Sequence, residues 1–384
     1  MDNAQILSLQ FDAPDKRQVH GERATLPAVQ LDRWLTGYRL SGTMASWRRQ
    51  VESPAPHALV ADSVRISGLR SGEDFAVQTR WGALAALTEE AAARPVSIDY
   101  AFSLRRVDSV VRDNSSGTVS VVRGLGHLTV PVPPALPSGS SLVANVFVPA
   151  ESDPRGLTVS RVTAPSEAIE PRVTTTGLGD ARRALAAGDA LRITCVGDSV
   201  TGGCDASTDS SAFPALLGAR LSKLSSRPRI DVSTASVGGS TTADWLGDSR
   251  RDCDWSRVDA SKPDVVVVEF VNDAGLSLDE LAENYGEILR RVESIGAALV
   301  LTTPHWVMPE WMSFTPDGID DRPYVRFLRD FAARNRVALA DVSASWQQLD
   351  SHGLHFETLL QNGINHPDDR GHELAASTIA ACFV

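Results

Sequence analysis

Positive charge is scarce in this 384-residue chain: 37 Lys and Arg stand against 48 Asp and Glu, giving a net charge of −11 and a pI near 5.2. No run of Lys and Arg offsets this, so the basic field that a nucleic-acid partner requires is missing. Long apolar runs are missing too. No stretch of about 18 consecutive apolar residues occurs, and a transmembrane helix is not expected. The N-terminal residues, MDNAQILSLQFDAPDKRQ, lack a basic start followed by an apolar core. No signal peptide is therefore visible, and a cytoplasmic location is expected. Cysteine is rare: Cys195, Cys204, Cys253 and Cys382 are scattered, with no CxxC pair and no zinc-like spacing. Reduced, buried thiols are expected, with a Cys204–Cys253 bridge between two loops as the alternative. The remainder, 42% hydrophobic and 22% charged, is ordinary for a soluble globular chain of one large or two modest domains.

Two rhythms divide the sequence. Residues 1–175 are β-rich, with Val-, Leu- and Ile-rich segments at 59–66, 96–102, 118–122, 128–132 and 141–148, separated by turn clusters such as 113–117 and 133–140. Short strands between turn signals suggest a β-sandwich, interrupted by a more helical stretch at 81–93. Residues 176–190 read as a linker. From Leu191 onward, short apolar runs at 191–196, 229–235, 264–271, 297–303 and 337–341 alternate with helical patterns. The clearest helix places Leu278, Leu281, Tyr285, Ile288, Leu289, Val292 and Ile295 on one face. Such alternation predicts an α/β unit over 191–384, a doubly wound five-stranded parallel sheet of flavodoxin-like type. In such sheets ligands bind outside the carboxyl ends of the strands.

The residues with chemical potential fall at those ends. The first run leads into Gly197-Asp198-Ser199-Val200-Thr201-Gly202-Gly203. A serine at a strand-to-helix turn can attack an acyl carbon if a base takes its proton, and nearby N–H groups can hold the resulting oxyanion. A helix cap and a glycine turn would serve the same residues equally well. The second run ends in Gly238-Gly239, where the Gly239 N–H is a candidate donor. The third ends in Asn272-Asp273, where the asparagine amide could donate or simply form an Asx-turn. Near the C-terminus, His366 precedes Pro367 in Asn365-His366-Pro367-Asp368-Asp369-Arg370-Gly371-His372, just before an apolar helix.

Taken together, these four pieces resemble the SGNH hydrolases, also called GDSL-like lipases and esterases, over about residues 191–384. The resemblance implies Ser199 as nucleophile, His366 as general base, and an oxyanion hole built from the N–H groups of Ser199 and Gly239 with the side chain of Asn272. It implies no metal and no cofactor. One departure stands out. The family usually places an aspartate three residues before its histidine, and that position here is Gly363. The imidazole is then held by a backbone carbonyl, giving a Ser–His dyad (the preferred reading), or by an acid such as Asp341, Glu357 or Asp368. A third reading takes Asp369 and His372, which satisfy D-x-x-H literally, as the acid–base pair. Phe270 stands where many members have glycine, and it is expected in the wall of the acyl pocket.

Other residues carry weaker signals. His305 and Trp306 follow the fourth run and could meet the leaving group, with Trp306 or Trp311 stacking on a sugar; loop packing is the alternative. His352 and His355 have metal-ligand spacing but only Glu357 nearby, and solvated histidines are expected. Trp34, Trp47 and Trp81 could line a ligand surface in the β-rich half. A strand-rich domain beside an SGNH domain resembles carbohydrate esterases, which implies a short acyl ester, most simply acetyl, on a carbohydrate or small molecule. Acyl transfer, thioester or lipid hydrolysis by the same serine, and a lapsed binding protein are the alternatives.

Overall fold

The computed structural model describes residues 1–26, 56–79, 82–92, 95–164, 168–224, 229–247, 250–309 and 320–384. Trp34, Trp47, Trp81 and Trp311 lie outside them. The chain divides into two compact units, Met1–Pro165 with Asp350–Ile364, and Ser166–Leu349 with Asn365–Val384.

The first unit is strand-rich. β1 (Lys16–Thr25), β5 (Pro95–Ser103) and β2 (Leu59–Ile66) form one antiparallel sheet, and β3 (Phe75–Gln78) pairs with β4 (Ala83–Ala86). β6 (Arg106–Asp113), β7 (Val119–Val122), β8 (Ser140–Val148) and β9 (Thr158–Ser160) form another sheet in the order β7-β6-β8-β9. Alternation along β5 buries Val96, Ile98, Tyr100 and Phe102 in one cluster. Two expectations differ here. Residues 83–86, read as helical, pair with β3, because tertiary pairing overrides the helix preference of alanine; the helix is only Glu89–Ala92. Residues 128–132 form no strand. The His127 ring captures the N–H groups of Thr129 and Val130 at 3.1 and 2.8 Å, and Pro131 has no N–H to give a ladder.

Residues 350–364 also belong to this unit, far from it in sequence. Asn145 donates to the Gly353 carbonyl at 2.7 Å, the Thr163 N–H reaches Ser351 O at 2.9 Å, and Arg155 pairs with Glu357 at 2.5 Å. His355 stacks on Phe147, with ring centroids 4.5 Å apart, and meets Glu357 at 3.3 Å.

The second unit is an α/β sheet. β11 (Ala190–Gly197), β12 (Arg229–Ser236), β13 (Val265–Glu269), β14 (Ala298–Thr302) and β15 (Ala338–Ala340) run parallel in the order β12-β11-β13-β14-β15. This is the flavodoxin-like order, reversing at β11. A sixth strand, β10 (Val173–Thr174), adds antiparallel to β15, so the sheet is mixed rather than purely parallel. The expected linker is likewise structured: Gly179–Ala187 is a helix burying Ala181 and Leu185. All five residues of β13 are buried, as befits a strand covered on both faces. The helix Leu278–Ser294 starts at a Ser277/Glu280 capping box and buries Leu281, Tyr285, Ile288 and Val292 against the sheet. Leu278 at its start and Ile295 just past its end remain exposed. No helix among the described residues is long and apolar enough to cross a membrane. None of the four cysteines forms a disulfide, so Cys204 and Cys253 are not bridged.

Candidate active site

Ser199 lies two residues beyond β11, in a run of turns closed by Gly202 N–H on Asp198 O and Cys204 N–H on Ser199 O. The next α-helix begins only at Phe213, so no α-helix N-terminus abuts the serine as the sequence suggested. Gly197 is fixed by crowding: a Cβ there would lie 2.1 Å from both the Glu269 carbonyl and Thr201 Oγ1. Only glycine lets the first strand end this close to β13.

Ser199 Oγ stands 2.9 Å from His366 Nε2. The other ring nitrogen, Nδ1, stands 2.7 Å from Oδ2 of Asp205. All three residues are buried. An Asp205 carboxylate accepting from Nδ1–H leaves Nε2 bare toward the serine, the tautomer a general base needs. Asp205 was not among the sequence candidates. Its loop follows Ser199 directly, and its backbone adopts φ +67°, a region where aspartate is one of the few tolerated side chains.

The acids that were considered are engaged elsewhere. Asp341 binds Arg329 at 2.8 Å and Thr303 at 2.9 Å. Glu357 pairs with Arg155. Asp368 caps the final helix, Asp369–Ala380, through the Gly371 N–H. Nor does the dyad reading describe this geometry, since a side chain occupies Nδ1. His372 is fully buried within the final helix, where Nδ1 accepts the Phe213 N–H at 3.3 Å and burial pushes its pKa down to about 4. Asp369 meets Ser207 rather than a histidine.

Gly239, three residues beyond β12, has φ +71°, and Gly238 lies beside Ser199, where a Cβ would come 3.8 Å from the serine Cβ. The N–H groups of Ser199 and Gly239 donate to no described residue. Asn272 lies in the short 3₁₀ turn after β13. Its amide donates to Asp198 Oδ2 at 2.8 Å and, more weakly, to Ser240 O at 3.3 Å. Its backbone N–H also reaches Asp198 Oδ2, at 3.2 Å. Asp198 thus fixes this asparagine from two points.

Three buried acids lie behind the serine. Burial pushes Asp198 up to about 6, against hydrogen bonds from Val200 and Asn272 that hold it down. Burial, then the charge of Asp198, push Glu269 well above the usual carboxylate range; its Oε2 accepts from Thr201 at 2.8 Å. Asp273 is pushed up to about 7 by burial.

His305, three residues beyond β14, donates from Nε2 to the carbonyl of Asn365 at 2.7 Å, the residue before His366. Burial pushes its pKa down to about 3, so it is neutral. Trp306 is buried with its Nε1–H on Ser343, so packing describes it better than sugar stacking. Phe270, expected in the acyl-pocket wall, is buried in the hydrophobic core of the second unit.

Residues 195–374 match the GDSL-like lipase/acylhydrolase family. The matched residues include Ser199, Gly239, Asn272 and His366, the first three just beyond successive strands and the last before the final α-helix. No curated protein matches the chain. Among solved structures, a two-domain esterase active on acetylated mannans, co-crystallised with mannopentaose, is 20% identical, with 54% of each chain covered and a TM-score of 0.43. The chain therefore spans about half the length of that esterase. An SGNH hydrolase from Slackia heliotrinireducens is 22% identical over 51% of this chain and 100% of its own, at a TM-score of 0.40. A variant of an acetyl-xylooligosaccharide esterase from Geobacillus Stearmophilus is 18% identical over 50% of this chain and 94% of its own, at 0.39. Likeness of this degree bears on neither substrate nor partner.

Proposed function

We propose that the SGNH domain is a serine esterase that removes short acyl groups, most simply acetyl, from a carbohydrate through an acyl-enzyme on Ser199. The observation that carries this is the relay of Ser199, His366 and Asp205 at 2.9 and 2.7 Å. Nε2 of His366 takes the serine proton as Oγ attacks the ester carbonyl, and Asp205 stabilises the imidazolium that forms. The N–H groups of Ser199 and Gly239 receive the oxyanion. Asn272 is the third donor, its weaker bond to Ser240 O giving way to the substrate oxygen while the bond to Asp198 holds. His366 then protonates the leaving alcohol, and water repeats the cycle to release the acid. The carbohydrate follows from the sequence resemblance, a strand-rich unit preceding an SGNH domain.

The test is hydrolysis of p-nitrophenyl acetate, butyrate and long-chain esters, and of acetylated sugars, by the native chain and by Ser199→Ala, His366→Ala and His372→Ala. The expected result is activity on acetyl substrates that the first two variants abolish. Preference for long chains would sink the carbohydrate assignment, and full activity of Ser199→Ala would sink the esterase mechanism. Accumulation of acylated alcohol in place of free acid would make the chain an acyltransferase.

A further inference from the structure

The acid and the base of the relay sit on two segments far apart in sequence, and something must hold them in register. The acid is carried by the turns after Ser199, and the base immediately precedes the final helix. Two residues of that helix join the segments. Asp369 receives both the N–H and the Oγ–H of Ser207, at 2.8 and 2.5 Å, two residues beyond Asp205. His372 receives the Phe213 N–H at 3.3 Å and stacks on the Phe213 ring, 6.4 Å between centroids. Phe213 is where the Asp205 loop ends and the next helix starts.

We propose that Asp369 and His372 are positioning residues that clamp the loop Cys204–Phe213 and so set Asp205 against His366. The reasoning is geometric. Asp369 and His372 lie three and six residues after His366, at the first residue and about one turn into a rigid element that starts at the Asp368 cap. The helix fixes the two anchors relative to each other, two residues separate the base from the first of them, and each anchor holds the loop bearing the acid. Asp205 adopts a left-handed backbone, φ +67°, that aspartate tolerates better than most side chains but that its surroundings must still hold in place. The D-x-x-H pattern in this chain thus serves the relay from outside: neither side chain touches Ser199 or His366.

This inference rests on the reading of Ser199, His366 and Asp205 as the catalytic relay, and the experiment separates the two. Steady-state kinetics on p-nitrophenyl acetate would be measured for Asp369→Ala, Asp369→Asn, Ser207→Ala and Asp205→Asn, and for Asp369→Ala combined with Asp205→Asn. Melting temperatures would be followed alongside. The clamp predicts that Asp369→Ala lowers kcat about 10-fold with KM within about twofold, less than the roughly 100-fold that misplacement by a full ångström can cost. Ser207→Ala should do the same to a smaller degree, and Asp369→Asn should recover part of the loss because its amide oxygen still accepts. In the Asp205→Asn background the loss from Asp369→Ala should vanish, since a positioning residue is worth nothing without the group it positions. The low-field proton resonance of the His366–Asp205 hydrogen bond should broaden or disappear in Asp369→Ala. Unchanged kcat in Asp369→Ala, or losses that multiply in the double variant, would overturn the clamp and leave the relay standing. Full activity of Asp205→Asn would overturn the relay itself, and the clamp with it.

Discussion

The carboxylate of Asp205 lies 2.7 Å from Nδ1 of His366, across 161 positions of sequence and far from where the resemblance looks for an acid. The expected position, three residues before the histidine, is Gly363 at φ +70°. An aspartate six residues after Ser199 meets the ring nitrogen instead. The serine and the acid then share one loop, and only the base arrives from elsewhere.

Asp205→Asn should lower kcat by about 10³-fold or more with little change in KM, because an amide no longer selects the tautomer with Nε2 bare. Asp341→Asn and Asp368→Asn should keep kcat within about tenfold. Initial rates on p-nitrophenyl acetate check this, and an Asp205 variant retaining half its activity would remove the residue from the relay.

Asn272→Ala should lower kcat by about 10²-fold while KM moves by less than about threefold, the pattern of a donor used mainly in the transition state. Asp198→Ala should reproduce much of that loss, since Asp198 holds the same asparagine by its backbone and its side chain. Combining the two should add little. Additive losses would mean that Asp198 acts by another route.

His305→Phe keeps a ring beside Trp346 but loses the donor to Asn365 O. The expected fall in kcat is about 10-fold. A histidine held down to about 3 is neutral from pH 5 to 9, so the loss should be the same across that range. A loss that varied with pH within it would show that His305 titrates there.

Asp273→Asn tests the buried acids. A carboxyl whose folded pKa is raised to about 7 destabilises the native state only as the pH rises past its unfolded value of 3.8, and fully above 7. The variant should therefore melt near the native temperature at pH 4 and about 3 °C or more above it at pH 8. Calorimetry across that window decides it; a lower melting temperature at pH 8 would mean that the charge is stabilised where it lies.

Gly197→Ala should fail to fold or lose about 3 kcal/mol of stability, because the added methyl meets the backbone carbonyl of Glu269, which cannot swing aside. Denaturant unfolding measures it.

Much of this was legible in local sequence. The five parallel strands were visible as short apolar runs, because a strand buried on both faces must be apolar throughout, as Val265–Val268 is. Ser199, Gly239, Asn272 and His366 were visible because each stands in a short motif at the end of a strand or before a helix. The sixth strand was not, since two residues carry no periodicity and Val173–Thr174 exists only because β15 offers it an edge. Residues 350–364 likewise join the first unit through partners about 200 positions away, such as Asn145 and Arg155.

The acid of the relay belongs to the same class. Within its own neighbourhood Asp205 is one polar residue in a run of turns, and nothing local distinguishes it from Asp209. Its role is set by the packing that gives it a positive φ and carries His366 to it. Sequence determined which residues end each strand, because periodicity and turn chemistry act over a few positions. Which carboxylate meets the imidazole was decided by the tertiary structure alone, because a 2.7 Å contact depends on the path of the chain between two loops and not on the residues within either one.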